Sequence, residues 1–439
     1  MDTEGVIALV TNGRYLDGLA TDGMRRSITN EFDKAYIVDL GGDVRRNPKI
    51  SGTTHNVFGI QVGVAITILI RRAKKGPEPR RATIFYKQAP EDARKEAKFT
   101  FVDSCKLEDE SWQQMQISSS GDWIMGQEPN DFSDLIPMGT KDTKSSLEED
   151  VPAIFKIFTN GDKTNRDVWA FNFSQTALAA NITRSINFYN DHVDRYKRAK
   201  QEKPVVDDFV MNDDKSISWS GDLKHSLERC VKAEFSPEKM RRAQYRPFTT
   251  CSLFFDRVFN NRVYLLPSVF PDIQAEQENQ AIGVTSHLQV PFSLLAIDCL
   301  PCLDFGGRPT QFFPFYIYEE DGTNRRENIT DWSLAEFRTH YGQQSISKWD
   351  IFHYTYALLH HPEYRTRYAA NLKRELPRIP YAPDFRKYAE IGAALMQIHI
   401  HYEQQPEYPL DRKETGKLNW RVEKMSSPKT KPNSNTTTS

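Results

Sequence analysis

The sequence predicts a mixed α/β and α+β chain: a partial doubly wound sheet, then a β-rich region, then helices at the end. Three observations carry that prediction. GVIALVTN from Gly5, GMRRSITNEF from Gly23, AYIVDLGG from Ala35 and VGVAITILIRR from Val62 read as strand, helix, strand, strand. Between Asp207 and about Tyr318, short apolar runs alternate with turn residues, a spacing typical of β structure. From Trp349 onward, aromatic and aliphatic residues recur at helical spacing.

The first block reads as the back half of a doubly wound sheet. The chain begins at Met1, so the strands and glycine-rich turn that would precede it are expected to be absent. After Arg72 the stretch AKKGPEPRR is charged and rich in Gly and Pro, which predicts a domain edge near Gly76. ATIFYK and FTFVD then read as strands, and SSSGDWIMGQEPND as a loop between them and Asp150. DVPAIFKIFTNGDKTNRDVWAF supplies short strands and a turn, and Gln175 to Lys200 forms a helix with Leu178, Ile182, Ile186 and Tyr189 on its apolar side.

SLFFDRVFN, RVYLLP, QAIGVTS, SLLAIDCL and FFPFYIY read as strands of the β-rich region. WDIFHYTYALLHHPEYRTRYAANLKREL and FRKYAEIGAALMQIHIHYE read as helices packed on each other across the proline-rich RIPYAP turn. SSPKTKPNSNTTTS holds no apolar residue and reads as a disordered tail. The expected organisation is therefore 1–75, 76–330, 331–425 and a tail at 426–439.

Composition narrows the function classes. A chain of 439 residues can bury two or three cores, and 27% charged with 12% aromatic residues excludes disordered and fibrous classes. The net charge of −1 excludes a small, uniformly basic nucleic-acid binder and leaves room for local basic patches. The longest apolar run, VGVAITILI, is too short to cross a bilayer and meets Arg71 and Arg72 at once. No signal peptide is visible and the five cysteines are odd in number, so the expected compartment is a reducing cytoplasm. No internal repeat is seen.

In the order and spacing of GVIALVTN, MRRSI, AYIVDL and NVFGIQVGVAITILIRR, the first block resembles the second half of the catalytic domain of adenine-specific DNA methyltransferases, a partial Rossmann-like sheet. That resemblance implies that Phe58, in the NVFG turn, stacks on a flipped-out target adenine. The alternative for Phe58 is a core plug at a strand entrance. WSGDLKHSL from Trp219, KMRRAQYRPF from Lys239, FPFYIY from Phe313 and HYTYALLHHPEYRTRYAANLKRELPRIP from His353 resemble the C-terminal part of Type ISP restriction-modification enzymes. In those single-chain proteins nuclease, helicase-like ATPase, methyltransferase and DNA-recognition domains follow one another. The resemblance covers nearly the whole folded chain and is weakest between about Arg81 and Asp150.

The family's Gly-rich cofactor turn and its Asn/Asp-Pro-Pro-aromatic loop are not found. NPKI at Asn47 has a single proline and lies between the second and third strands, and FGGRP at Phe305 lies among β-like segments. The resemblance implies S-adenosyl-L-methionine as methyl donor, with its main site outside this chain. No cofactor residue is assigned and no metal is expected. Cys299 and Cys302 form a Cys-x-x-Cys without a second ligand pair and read as buried thiols. His360 and His361, like His399 and His401, point apart and read as packing or surface residues.

Two basic clusters stand out. Lys239, Arg241, Arg242, Arg246, Arg257 and Arg262, interleaved with Tyr245, Phe248, Asn260 and Asn261, suit phosphate contacts and base-edge readout. A structural role for them stays open, as does a buried, carboxylate-paired Arg246 held beside Pro247. Arg365, Arg367, Lys373, Arg374, Arg378, Arg386 and Lys387 read as a solvated helix face.

By resemblance the chain is the DNA-recognition portion of a Type ISP-like adenine-specific methyltransferase with endonuclease. Alone it is expected to transfer no methyl group. Double-stranded DNA is the expected partner, together with a protein chain supplying the missing methyltransferase half. The alternatives are a stand-alone DNA-binding specificity module and an inactive gene remnant.

Overall fold

The computed structural model describes residues 4–18, 21–43, 54–73, 80–90, 92–115, 117, 123, 131–146, 148, 150–199, 204–213, 215–287, 289–407 and 409. Residues 1–400 form one unit and 401–439 a second, of which only a short turn at Tyr402–Gln404 is regular among the described residues. The tail expected at 426–439 and the NPKI segment lie outside the described residues.

The first strands form where the sequence reads them. β1 (Gly5–Asn12), helix α1 (Asp22–Glu31), β2 (Lys34–Gly41) and β3 (Val64–Arg71) are followed by β4 (Thr83–Gln88), helix α2 (Lys95–Ser104) and β5 (Gln113–Met115). They build one five-stranded sheet in the order β1-β3-β2-β4-β5. β3 runs antiparallel to both β1 and β2, β4 is parallel to β2, and β5 is antiparallel to β4. The sheet thus continues past the edge expected near Gly76. α1 lays Ile28 on a core that also holds Tyr15, Leu16, Ala35, Ile37, Leu69, Ile84 and the fully buried Trp123.

FTFVD, expected as a strand, is the end of α2. Its aromatic and β-branched residues favour a strand locally, but the charged segment before them continues as a helix into them. Phe101, Val102 and Cys105 then lie against Val38, Leu40, Val57, Val64 and Ala89. Tertiary burial overrides propensity here.

The rest of the first unit holds two four-stranded sheets. One has the order β12-β8-β9-β7, from β7 (Phe171–Asn172), β8 (Met240–Arg246), β9 (Thr249–Phe254) and β12 (Leu300–Pro301). The other has the order β11-β10-β13-β6, from β6 (Thr159–Asn160), β10 (Ala281–Thr285), β11 (Ser293–Ile297) and β13 (Gln311–Pro314). The 207–318 region is less uniformly β than its spacing suggests. RVYLLP runs through a turn into a short helix at Leu266–Val269, and helices also form at Val206–Phe209, Gly221–Glu228 and Ile273–Glu278.

The second of these sheets separates two cores. Successive side chains of a strand point to opposite faces, so Ile282, Val284, Leu294, Ala296 and Phe313 enter one core while Ala281, Leu295, Ile297 and Phe312 enter the other. Gly283 sits at a close approach, since a Cβ there would stand 2.6 Å from the Phe312 ring. Helix α3 (Gln175–Ala199) buries Leu178, Ile182, Ile186, Tyr189, Val193 and Tyr196 on one stripe against Leu223, Leu227, Phe254 and Phe259.

The terminal helices α4 (Lys348–His360) and α5 (Phe385–Ile400) are packed on each other, as expected. Gly392 allows it, because a Cβ would meet the His353 carbonyl oxygen at 1.9 Å. Tyr354 stacks on Phe385, with ring centroids 4.9 Å apart, and donates its hydroxyl to the Pro380 carbonyl.

Candidate nucleic-acid interface

Phe58 is not a core plug. It is 63% exposed, beside Ile60 at 43%, at the tip of the loop that leads into β3. The loop owes its shape to Asn56, which is buried and bonded on every side. Its amide nitrogen donates to the carbonyls of Val62 at 2.6 Å and Gly42 at 3.3 Å, and its oxygen accepts from the backbone N–H of Phe58 at 2.9 Å and Ile60 at 3.3 Å. Gly42 has φ +79, and a Cβ there would come within 2.7 Å of the His55 carbonyl oxygen. Lys98 of α2, itself buried, donates to that same carbonyl at 2.7 Å. The Phe58 ring is thus exposed on a backbone held from inside by Asn56.

The first basic cluster is bound up in ion pairs. Arg241 is buried, its guanidinium 2.6 Å from Glu276 and donating to the carbonyls of Phe270 and Pro271. Burial pushes the Glu276 carboxyl up from its ordinary value, with Arg241 opposing. Asn260 is also buried, donating to Asp162 and accepting from the Asp256 backbone N–H. Lys239 pairs with Asp256, Arg242 with Asp298, Arg257 with Glu320 and Arg262 with Asp222. Arg242, Arg257 and Arg262 keep about half of their side-chain surface in solvent, at 48%, 58% and 62%. Asn261 is half-buried.

Arg246 is half-buried and, among the described residues, makes no salt bridge to a carboxylate. Its guanidinium lies 4.0 Å from the Tyr245 ring centroid and donates to the Tyr245 carbonyl at 2.7 Å and to the Cys302 sulfur at 3.3 Å. Pro247 stiffens the turn between β8 and β9, and Phe248 follows at φ +53, 49% exposed. An exposed aromatic in the left-handed region is uncommon and marks a functional candidate.

Through its bond to Cys302, Arg246 joins this turn to a polar cleft lined by Asp162, Lys163, Asn165, Asp167, Cys302 and Asp304. Tyr245 reaches its wall, donating to Asp167 at 3.4 Å. Lys163 and Arg262 exchange backbone hydrogen bonds, which brings Arg262 to the same surface. Asp162 at the cleft floor is pushed up to about 8 by burial, with the Asn260 hydrogen bond opposing, Asp167 adding and Arg166 opposing. One of its oxygens and Nη1 of Arg166 are buried without a hydrogen-bond partner.

The second cluster is tied into the fold. Arg365 donates to the Phe292 carbonyl, Arg378 to those of Ser133 and Leu135, Arg367 pairs with Asp131 and Arg386 with Asp350. Cys299 and Cys302 are buried free thiols. Among the described residues, no three His, Cys, Asp or Glu side chains come together as metal ligands. The sequence did not reveal that His360 and His399 meet across α4 and α5, with ring centroids 5.3 Å apart and Tyr356 bonded to His399. No signal in the sequence marks that pair, since 38 positions lie between them.

The Type ISP C-terminal specificity domain matches residues 153–438. The chain belongs to this family. Type ISP enzymes are also found among the solved structures that resemble it. The DrdV–DNA complex seen by cryo-electron microscopy matches with a TM-score of 0.74 at 33% identity over 95% of this chain and 40% of its own. The ATP-dependent Type ISP restriction-modification enzyme LlaBIII bound to DNA gives a TM-score of 0.74 at 28% identity, over 98% of this chain and 27% of its own. A nuclease-deletion mutant of the Type ISP enzyme LlaGI in complex with a DNA substrate mimic gives 0.70 at 30% identity, over 93% and 36%. The chain therefore spans well under half the length of these structures. No curated relative matches it. The Type ISP family match covers both four-stranded sheets and the terminal helices, and the structural matches extend over the N-terminal sheet as well.

Proposed function

We propose that this Type ISP specificity chain reads a DNA target through the face formed by the β8–β9 turn and the cleft beneath it. The observation that carries the reading is the specificity-domain match over 153–438, which includes that whole face. Arg246, Phe248, Lys163, Asn165 and Asn261 are the groups proposed for base edges, and Arg242, Arg257 and Arg262 for phosphates. Arg241, Asn260 and Lys239 hold the fold beneath them: the first two are buried and bonded, and Lys239 is paired with Asp256. On DNA the surface pairs of Arg242, Arg257 and Arg262 exchange a carboxylate for a phosphate.

The five-stranded sheet is proposed as the back part of an adenine-specific methyltransferase domain, and Phe58 as the platform for the extruded adenine. The boundary between the methyltransferase and recognition parts then falls near 150 rather than 75, because β4 and β5 belong to the first sheet. S-adenosyl-L-methionine is the methyl donor that the family relation suggests, and the described residues do not fit it. β1 leads into a single turn at Gly13–Leu16 whose Tyr15 and Leu16 fill the core, not into a glycine-rich cradle. Methyl transfer by the chain alone is therefore not proposed. No helix among the described residues is long and apolar enough to cross a membrane, and a DNA-acting protein of this family belongs in the cytoplasm.

Selection of binding duplexes from a random pool, followed by titration at several salt concentrations, tests the reading. Enrichment of one short sequence, with affinity falling as salt rises, is expected. Binding with no sequence preference overturns it.

A further inference from the structure

We propose that His399, held by Tyr356, is a positioning residue for Phe248 and so for the turn between β8 and β9. This deepens the reading of that turn as part of the recognition face and rests on it.

The turn is built against local preference. Arg246 of β8 pairs with Thr249 of β9, which leaves Pro247 and Phe248 as the two central residues. Pro247 fixes its own φ. Phe248 stands at φ +53, a region that turns ordinarily fill with Gly or Asn, because a larger side chain is strained there. The backbone gains nothing from Phe at that position, so the reason for it lies in the ring. The ring is half-exposed and meets the imidazole of His399, on α5, edge to face, with centroids 5.8 Å apart.

The imidazole is itself fixed from behind. The backbone N–H of Ala296 in β11 donates to the Tyr356 hydroxyl at 3.0 Å, and that hydroxyl lies 2.6 Å from Nδ1 of His399. A hydroxyl that already accepts from Ala296 has its proton free for Nδ1, and a neutral imidazole can take it there. Burial keeps His399 below its ordinary value. Burial also takes His360, whose ring centroid is 5.3 Å away, down to about 4, with the charges of His399 and Arg365 adding to the shift. Both rings are therefore uncharged at neutral pH. The contacts run from β11, in one four-stranded sheet, through α4 and α5 to the turn of the other sheet. Sequence reasoning could not have joined residues 248, 296, 356 and 399.

The test uses the full chain and the duplex enriched from the random pool, with a scrambled duplex as reference. The preference for one over the other is measured together with Tm. His399→Asn keeps an acceptor for Tyr356 and removes the ring. It should lower the preference about 5-fold while Tm stays within about 3 °C of the native value. Phe248→Ala should lower the preference by at least as much, and the double variant should lose no more than Phe248→Ala alone. An unchanged preference with His399→Asn overturns the proposal, as do losses that add in the double variant. A fall in Tm of more than about 10 °C with His399→Asn also overturns it, because the imidazole then serves the core. A native chain that shows no preference for the enriched duplex is instead the failure of the recognition reading, and the positioning role falls with it.

Discussion

β1 and β10 are both short apolar strands, and they end in opposite environments. β10 is buried at all five positions, held between β11 and β13 with a core on each face. β1 is exposed at six of eight positions and half-buried at Leu9 and Thr11, with one neighbouring strand. The lesson is that an apolar run specifies a strand that wants two covered faces, while the cover itself is supplied by other segments. The specificity part of the chain carries its own cover, and the N-terminal sheet carries it over its central strands β3, β2 and β4.

The largest effect that would break this comparison concerns core truncation. Phe313→Ala in β13 removes a fully buried ring in contact with Phe155 and Phe158, and should cost about 3–5 kcal/mol of stability in urea unfolding. Val6→Ala in β1 should stay within about 0.5 kcal/mol, because its side chain is already in solvent. Comparable losses from both would mean that β1 is covered in the isolated chain.

A second effect sharpens the comparison inside the N-terminal region, where an exposed tip rests on a buried support. Asn56→Ala leaves the Phe58 and Ile60 amides and the Val62 carbonyl without their partner, a loss of about 1–3 kcal/mol. Exchange of the amides at 58 and 60 should quicken, whereas Phe58→Ala should leave them unchanged. Quickening by both variants would show that the ring, rather than Asn56, holds the loop.

Much of the fold was legible because its signals are local. β1, α1, β2, β3, α3 and the terminal helix pair could be read from period and turn residues. α2 could not, because Phe99, Phe101 and Val102 favour a strand until α2 meets the sheet. The extent of the first sheet was hidden for a related reason: the charged stretch after Arg72 looks like a boundary, and the pairing of β2 with β4 is made across it. The site was less legible than the fold. Arg241 finds Glu276 35 residues away and Asn260 finds Asp162 98 residues away, so composition alone could not separate cations and amides that build the core from those left at the surface. The exposure of Phe58 and the left-handed Phe248 likewise depend on packing.

A third effect lies in the specificity region and is read against pH. Asp162 holds its proton in the fold up to about 8, against an ordinary value of 3.8. A carboxyl raised on folding gives its full contribution below its unfolded value, and that contribution is lost as pH rises through the folded value. Stability should therefore decline between about pH 4 and 8 on account of this group. Asp162→Asn keeps a neutral acceptor for Asn260 and removes the decline, so its advantage over the native chain should grow from pH 5 to pH 9 in urea unfolding. A constant difference across that range would show that Asp162 is ionised throughout, with its unpaired oxygen solvated.

The smallest effects separate the two kinds of cation on the recognition face. Arg262 is 62% exposed and paired with Asp222 at the rim of the cleft, so on DNA it should serve a phosphate. Arg262→Ala should weaken binding to all duplexes alike and reduce the slope of log affinity against log salt by about 0.9, the share of one phosphate. Arg246 is instead fixed by Tyr245, Pro247 and Cys302 in a turn that gives it little freedom to follow a backbone. Arg246→Lys keeps the charge and loses the planar fork. It should leave the salt slope within about 0.3 of the native value and relax preference at one base pair, by about 1–3 kcal/mol. If both substitutions change only the slope, the β8–β9 turn positions the duplex and the sequence is read elsewhere on the cleft.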